Sequence, residues 1–172
     1  MKLTRNFSLK ELTASSSAKR LGIKNEPSHE HIAALTALSV CILQPVREAH
    51  GIVTINSGLR VPELNAVITG NPKSRSQHQY GEAADFECIG GISNYDLAVW
   101  IRDNLEFDQL ILEYYNPKEG PNSGWVHCSY RRLGENRKDV KTALEGPGGK
   151  VKYEAGLPAV SYTHLRAHET IA

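Results

Sequence analysis

The apolar positions of this chain change period several times, and each change marks an element. Ile32, Leu35, Leu38, Ile42 and Val46 recur at three- and four-residue spacing, the stripe of an amphipathic helix. They predict a helix over about 28–49, opened by Pro27, with Pro45 kinking it or ending a turn inside it. Ahead of it, Ser8 and Glu11 have the spacing of a capping box, in which each side chain satisfies the other's backbone donor. A short helix over about 9–20 follows, with Gly22 suited to a left-handed C-cap. Residues 51–57, GIVTINS, are rich in β-branched residues and predict a strand at 52–56, then a loop holding Arg60 and a short helix from Pro62. The polar stretch TGNPKSRSQ, residues 69–77, reads as a loop. EAADFECI alternates, which predicts a strand with Ala83, Asp85 and Glu87 on one face and Ala84, Phe86 and Cys88 on the other.

The helical period returns in GISNYDLAVWIRDNLEF, where Leu97, Ile101 and Leu105 form the apolar face and Ser93 with Asp96 resembles a capping pair. FDQLILEYY and GWVHCSYRR read as two strands joined by the turn-rich NPKEGPNSG, an antiparallel hairpin. On the second strand Trp125, His127 and Ser129 share a face, while Cys128 and Tyr130 point the other way, into packing. Residues 131–159 are charged and glycine-rich, and only KVKYEAG among them reads as a short strand. Helices first, then strands mixed with a helix and ending in a hairpin, predict an α+β domain with a mostly antiparallel sheet and flanking helices. There is no internal repeat and no interdomain linker, and 172 residues suit one domain.

Composition narrows the function classes. A net charge of +1 gives no general electrostatic case for nucleic acid or an anionic membrane, and Lys73 with Arg75 in one loop are two solvated charges. No apolar run approaches the roughly 20 residues that span a bilayer, so no integral membrane segment is expected. The N-terminus lacks the apolar core of a secretory signal, so synthesis in the cytoplasm is expected. Cys41, Cys88 and Cys128 are odd in number and lack CxxC spacing, which predicts three free thiols. Residues 160–170, VSYTHLRAHET, resemble the translation of a transposon adapter used in preparing sequencing libraries. The native domain is therefore expected to cover 1–159, with 160–172 an adapter-derived tail, and His164 and His168 drop out as candidate ligands.

The candidate chemistry sits in SQHQYGEAAD, where His78 precedes Asp85 by seven residues, and in WVHCSY, which holds His127. Two histidines and an aspartate are three protein ligands for zinc with one position left open, the ligand count of a catalytic site. Such a site lowers the pKa of bound water to about 7. Peptide hydrolysis needs in addition a general base and a positive group where the carbonyl oxygen gains charge. Glu113 is the candidate base, and Arg60 the candidate for the oxyanion or a substrate carboxylate, unless it pairs structurally with Glu63 or Asp85. Singly, His78 reads as a loop histidine and Asp85 as a strand-end carboxylate; it is their order with the other motifs that favours zinc. His29, His31 and His50 read as solvated helix-end residues.

SGLRVPELN, SQHQYGEAADFE, FDQLILEYY and WVHCSY resemble the successive motifs of the zinc D-Ala-D-Ala carboxypeptidase family. That family includes the L-alanyl-D-glutamate endopeptidases of phage lysins and shares its fold with the hedgehog signalling domain. NFSLKELTASSSAKRLGIKN and LQPVREAHG resemble its single-domain phage and prophage branch, and the resemblance spans about residues 5–157. It implies a hedgehog/DD-peptidase-like fold, zinc on His78, Asp85 and His127, and Arg60 in contact with the substrate or transition state. Ser76 would line the site, and Trp125, on the ligand face, would flank the cleft or pack under the zinc. The implied function is hydrolysis of peptidoglycan stem peptides, as a D-Ala-D-Ala carboxypeptidase or an L-Ala-D-Glu endopeptidase. A monomer acting on the cell wall after release is expected. Many members carry an acidic residue three before the last histidine ligand, and here that position is Gly124. The base then comes from elsewhere, with Glu113 on the neighbouring strand first and Glu87 in reserve, or it is absent. Its absence would leave a zinc-stabilised module that binds cell wall or a phage structural partner without turnover.

Overall fold

Ser8 and Glu11 form the expected reciprocal cap and start α1 (Leu9–Thr13). The single helix expected over 9–20 is instead two. Ala14 is extended, and Ser15 accepts a hydrogen bond from the Ala18 N–H to start α2 (Ser16–Leu21), which Gly22 closes in a left-handed conformation. Serine side chains compete for backbone donors, so a serine run favours a fresh cap over an unbroken helix. These elements belong to a computed structural model that describes residues 1–159. The adapter-like stretch and its two histidines lie outside the described residues.

The long predicted helix runs from His29 to His50 as α3 (His29–Leu38), a π-helical turn (Ser39–Leu43) and α4 (Gln44–His50). The disturbance expected at Pro45 takes the form of that wide turn. Proline has no N–H to give and its ring crowds the carbonyl four residues back, here that of Cys41, so the preceding turn loosens. Leu35, Leu38, Ile42, Leu43 and Val46 are fully buried. By length and apolar composition this helix could cross a membrane, but its apolar stripe is packed into the core. His31 caps α3 by accepting from the Ser28 N–H. His50 is not the solvated residue expected: its ring meets Trp100 edge-on with centroids 4.6 Å apart, and its Nε2 is buried.

Among the described residues, six strands form one sheet: β1 (Val53–Ser57), β2 (Ala83–Cys88), β3 (Gln109–Glu113), β4 (Trp125–Ser129), β5 (Asp139–Glu145) and β6 (Val151–Ala155), in the order β1-β2-β4-β3-β5-β6. All neighbours are antiparallel except β3 and β5, so the sheet is mostly antiparallel as expected. β5 is the strand missed in the sequence. Its residues DVKTALE mix charge with apolar positions, and it is held by its ladder to β3 rather than by its own pattern. The short helix expected from Pro62 is α5 (Pro62–Thr69). One sheet face, including Ala84, Phe86, Leu110, Leu112, Val126 and Cys128, packs on α3, α4 and α6 (Asn94–Asn104) to make the core. The other face carries the polar residues described next. The three cysteines are free thiols.

Candidate metal centre and its cleft

Asp85 and His127 are direct cross-strand partners on β2 and β4, so their side chains leave the sheet side by side. His78 arrives from a 3-10 turn, Gln77–Tyr80, closed by Gly81 at φ +69°. A Cβ on Gly81 would stand 3.0 Å from the His31 carbonyl oxygen, so glycine both makes the turn and lets it lie against α3. The His78 Nδ1–H donates to the Gly58 carbonyl at 2.7 Å, which leaves Nε2 as a lone-pair acceptor. Gly58 has a reason of its own: a Cβ there would lie 2.2 Å from the Leu12 carbonyl oxygen, where the end of α1 packs.

Three ligand atoms converge. His78 Nε2 lies 3.2 Å from Asp85 Oδ1 and 3.2 Å from His127 Nδ1, and His127 Nδ1 lies 2.9 Å from Asp85 Oδ1. All three residues are buried. Ligands at zinc's usual distances occupy the corners of a tetrahedron with edges of about 3.3 Å, close to these spacings. Moreover, His78 Nε2 faces a carboxylate oxygen, acceptor against acceptor, an arrangement that a cation between them satisfies. The donor set thus fits a metal ion. Burial lowers the His78 pKa despite the opposing charge of Asp85, keeping the imidazole neutral as a ligand must be. Burial pushes the Asp85 carboxyl up, but its cationic and hydrogen-bonding surroundings outweigh it and hold the group well below the usual carboxylate range.

Arg60 divides its donors. Its Nε donates to Ser57 Oγ at 2.7 Å, and its guanidinium pairs with Asp85 Oδ2, leaving Oδ1 for the histidines. Of the structural partners considered for Arg60, Asp85 is therefore the one found. The loop that carries Arg60 is tied down by Asn25, whose side chain donates to the Thr13 and Leu59 carbonyls and accepts from the Val61 N–H.

The triad opens into a cleft of about 970 Å³ that Arg60, Ser76 and Glu113 also line. Glu113 stands on β3, one pleat from Ile111, the cross-strand partner of His127. Burial and the charge of Asp85 raise its pKa, partly offset by His127 and Arg60. Glu87 lies elsewhere, beside a smaller cavity, with its carboxylate bonded to Asn56 and Asn94. Trp125 is not a cleft-lining residue; its indole packs on Tyr114 with ring centroids 5.0 Å apart. Gly124, three residues before His127, sits at φ +68°, and a Cβ there would fall 2.0 Å from the Glu113 carbonyl oxygen.

The model of the family described as Peptidase M15 matches residues 5–129. The chain belongs to the peptidase M15 family. No curated protein matches it. M15 peptidases are zinc-dependent, and the sheet with flanking helices agrees with their fold. In this M15 chain the three expected ligands, Arg60, Ser76 and Glu113 come together around one cleft. Three residues escaped sequence reasoning. Asn25 acts through distant backbone groups. Asp108, fully buried, binds Gln77 and Arg137 and so braces the turn that carries His78. Tyr153 reaches the cleft from β6. The strand KVKYEAG was the one signal available for Tyr153.

Proposed function

We propose that this chain is a zinc metallopeptidase that hydrolyses peptidoglycan stem peptides, removing a terminal D-Ala or cutting between L-Ala and D-Glu. The observation that carries the reading is Glu113, a half-buried carboxylate of raised pKa on the cleft wall beside the His78, Asp85 and His127 cluster. Zinc held by that cluster would supply Lewis-acid polarisation and an acidified water. Glu113 takes the proton of the attacking water and returns it to the leaving amine, a task for which a raised carboxylate pKa is suited. Arg60 orients Asp85 through their ion pair. Gly124 favours a second reading, a wall-binding module without turnover, since it leaves the usual position of the base empty.

Mass spectrometry of muropeptides incubated with the zinc-loaded protein tests the proposal. Cleaved stem peptides are expected, and none when a chelator is present, with about one zinc per chain in the active sample. Unaltered muropeptides with full zinc occupancy would overturn it in favour of the binding module.

A further inference from the structure

Cross-strand registers place four residues in one row. Trp125 pairs with Glu113, Glu113 with Ala143, and Ala143 with Tyr153. The row lies one pleat from the Asp85, His127 and Ile111 row and on the same face of the sheet. Ala143, small and buried, is all that stands between Glu113 and Tyr153 in it. Tyr153 lines the cleft together with Glu113, His127 and Arg60. The residue is 56% exposed on the edge strand, and among the described residues its hydroxyl has no hydrogen-bond partner. Burial raises its pKa, and the charges of Glu113 and Asp85 and the neighbouring Tyr114 raise it further, so the phenol keeps its proton at neutral pH.

Hydrolysis of a peptide needs a donor aimed at the oxygen on which charge develops. Arg60 has already committed Nε to Ser57 and a terminal nitrogen to Asp85. We infer that Tyr153 is a catalytic residue, its hydroxyl donating a hydrogen bond to the scissile carbonyl oxygen as that oxygen becomes negative. The inference rests on the proposed peptide hydrolysis. In it, the water oxygen bonds to the carbonyl carbon, the carbonyl π pair moves onto oxygen, and Glu113 receives the water proton. Collapse reforms the carbonyl and breaks the C–N bond, and the proton passes from Glu113 to the amine. Tyr153 keeps its own proton throughout. The residue lies beyond the stretch matched by the family, in a strand added to the sheet next to β5.

The test is Tyr153→Phe in the zinc-loaded full chain, with a phosphinate analogue of a D-Ala-D-Ala peptide as a mimic of the tetrahedral anion. An exposed position on an edge strand gives the substitution little hold on folding. kcat on muropeptides is expected to fall about 100-fold, the usual effect of losing one oxyanion donor. KM and zinc content stay unchanged, and phosphinate affinity falls about tenfold or more by calorimetric titration while product affinity holds. Equal phosphinate affinity in the two proteins overturns the inference, as does a wild-type protein that does not bind the phosphinate. So does a Phe variant with normal kcat beside a Tyr153→Ala variant with raised KM, because that pattern assigns the ring to stacking. Intact muropeptides together with a Tyr153-dependent phosphinate affinity would sink the proposed substrate while sustaining the role of Tyr153.

Discussion

Replacing Gly124 by alanine separates a lost catalytic acid from a position that admits no side chain. The backbone at Gly124 has φ +68°, and an added Cβ would meet the Glu113 carbonyl oxygen at 2.0 Å and the Tyr114 carbonyl carbon at 2.9 Å. A left-handed conformation costs an L-residue about 1–2 kcal/mol. Forcing an extra carbon into packed backbone adds about 1–3 kcal/mol. Gly70 is the control, with φ +64° and nothing within 4 Å of its Cβ position, so Gly70→Ala carries only the backbone cost. In a chain of this size each kcal/mol moves Tm by about 2–4 °C. Gly124→Ala is therefore expected to unfold about 2–12 °C below Gly70→Ala in differential scanning calorimetry, with or without zinc. Equal losses would refute the steric argument. Gly124→Glu shares the clash at Cβ and should not raise turnover; a gain in kcat would show that the acid had merely been lost.

Other outcomes follow from the same geometry. Glu113→Gln should lower kcat by about 10²- to 10⁴-fold with zinc retained, measured by muropeptide turnover and metal analysis. In the metal-free protein the same substitution should raise Tm at pH 7. A carboxyl whose folded pKa is raised opposes folding once it ionises above its unfolded pKa, and Gln removes that penalty, which is absent at pH 4. Because Glu113 must be ionised to accept the proton, the acid limb of the kcat profile should vanish in the residual activity of Glu113→Gln; an unchanged limb there would remove Glu113 as the base. Asn25→Ala orphans three backbone groups around the Arg60 loop and should cost about 2–4 kcal/mol by urea denaturation. A change within error would mean that water replaces those bonds.

What could be read from the sequence was what depends on neighbours along the chain. The stripe from Leu35 to Val46, the Ser8 cap and the alternation of residues 83–88 are short-range patterns, and the corresponding elements are present. The candidate ligand set was legible through the order of the motifs that carry His78, Asp85 and His127, since singly His78 and Asp85 have ordinary structural readings. Glu113 followed from the hairpin, whose register sets it opposite Trp125.

Tertiary structure decided the rest. Nothing local in DVKTALE announces that it lies parallel to β3, yet that pairing brings β6 and Tyr153 alongside Glu113. Nothing near Asn25 announces its bonds to Leu59 and Val61, more than thirty residues on. The glycines at 58 and 124 look like ordinary turn residues until the Leu12 and Glu113 carbonyls are seen against them. Period and capping are set by bonds within a few residues, and the sequence alone determined them. Which backbone oxygen meets which distant residue depends on how sheet and helices pack, and that was settled only when the chain folded.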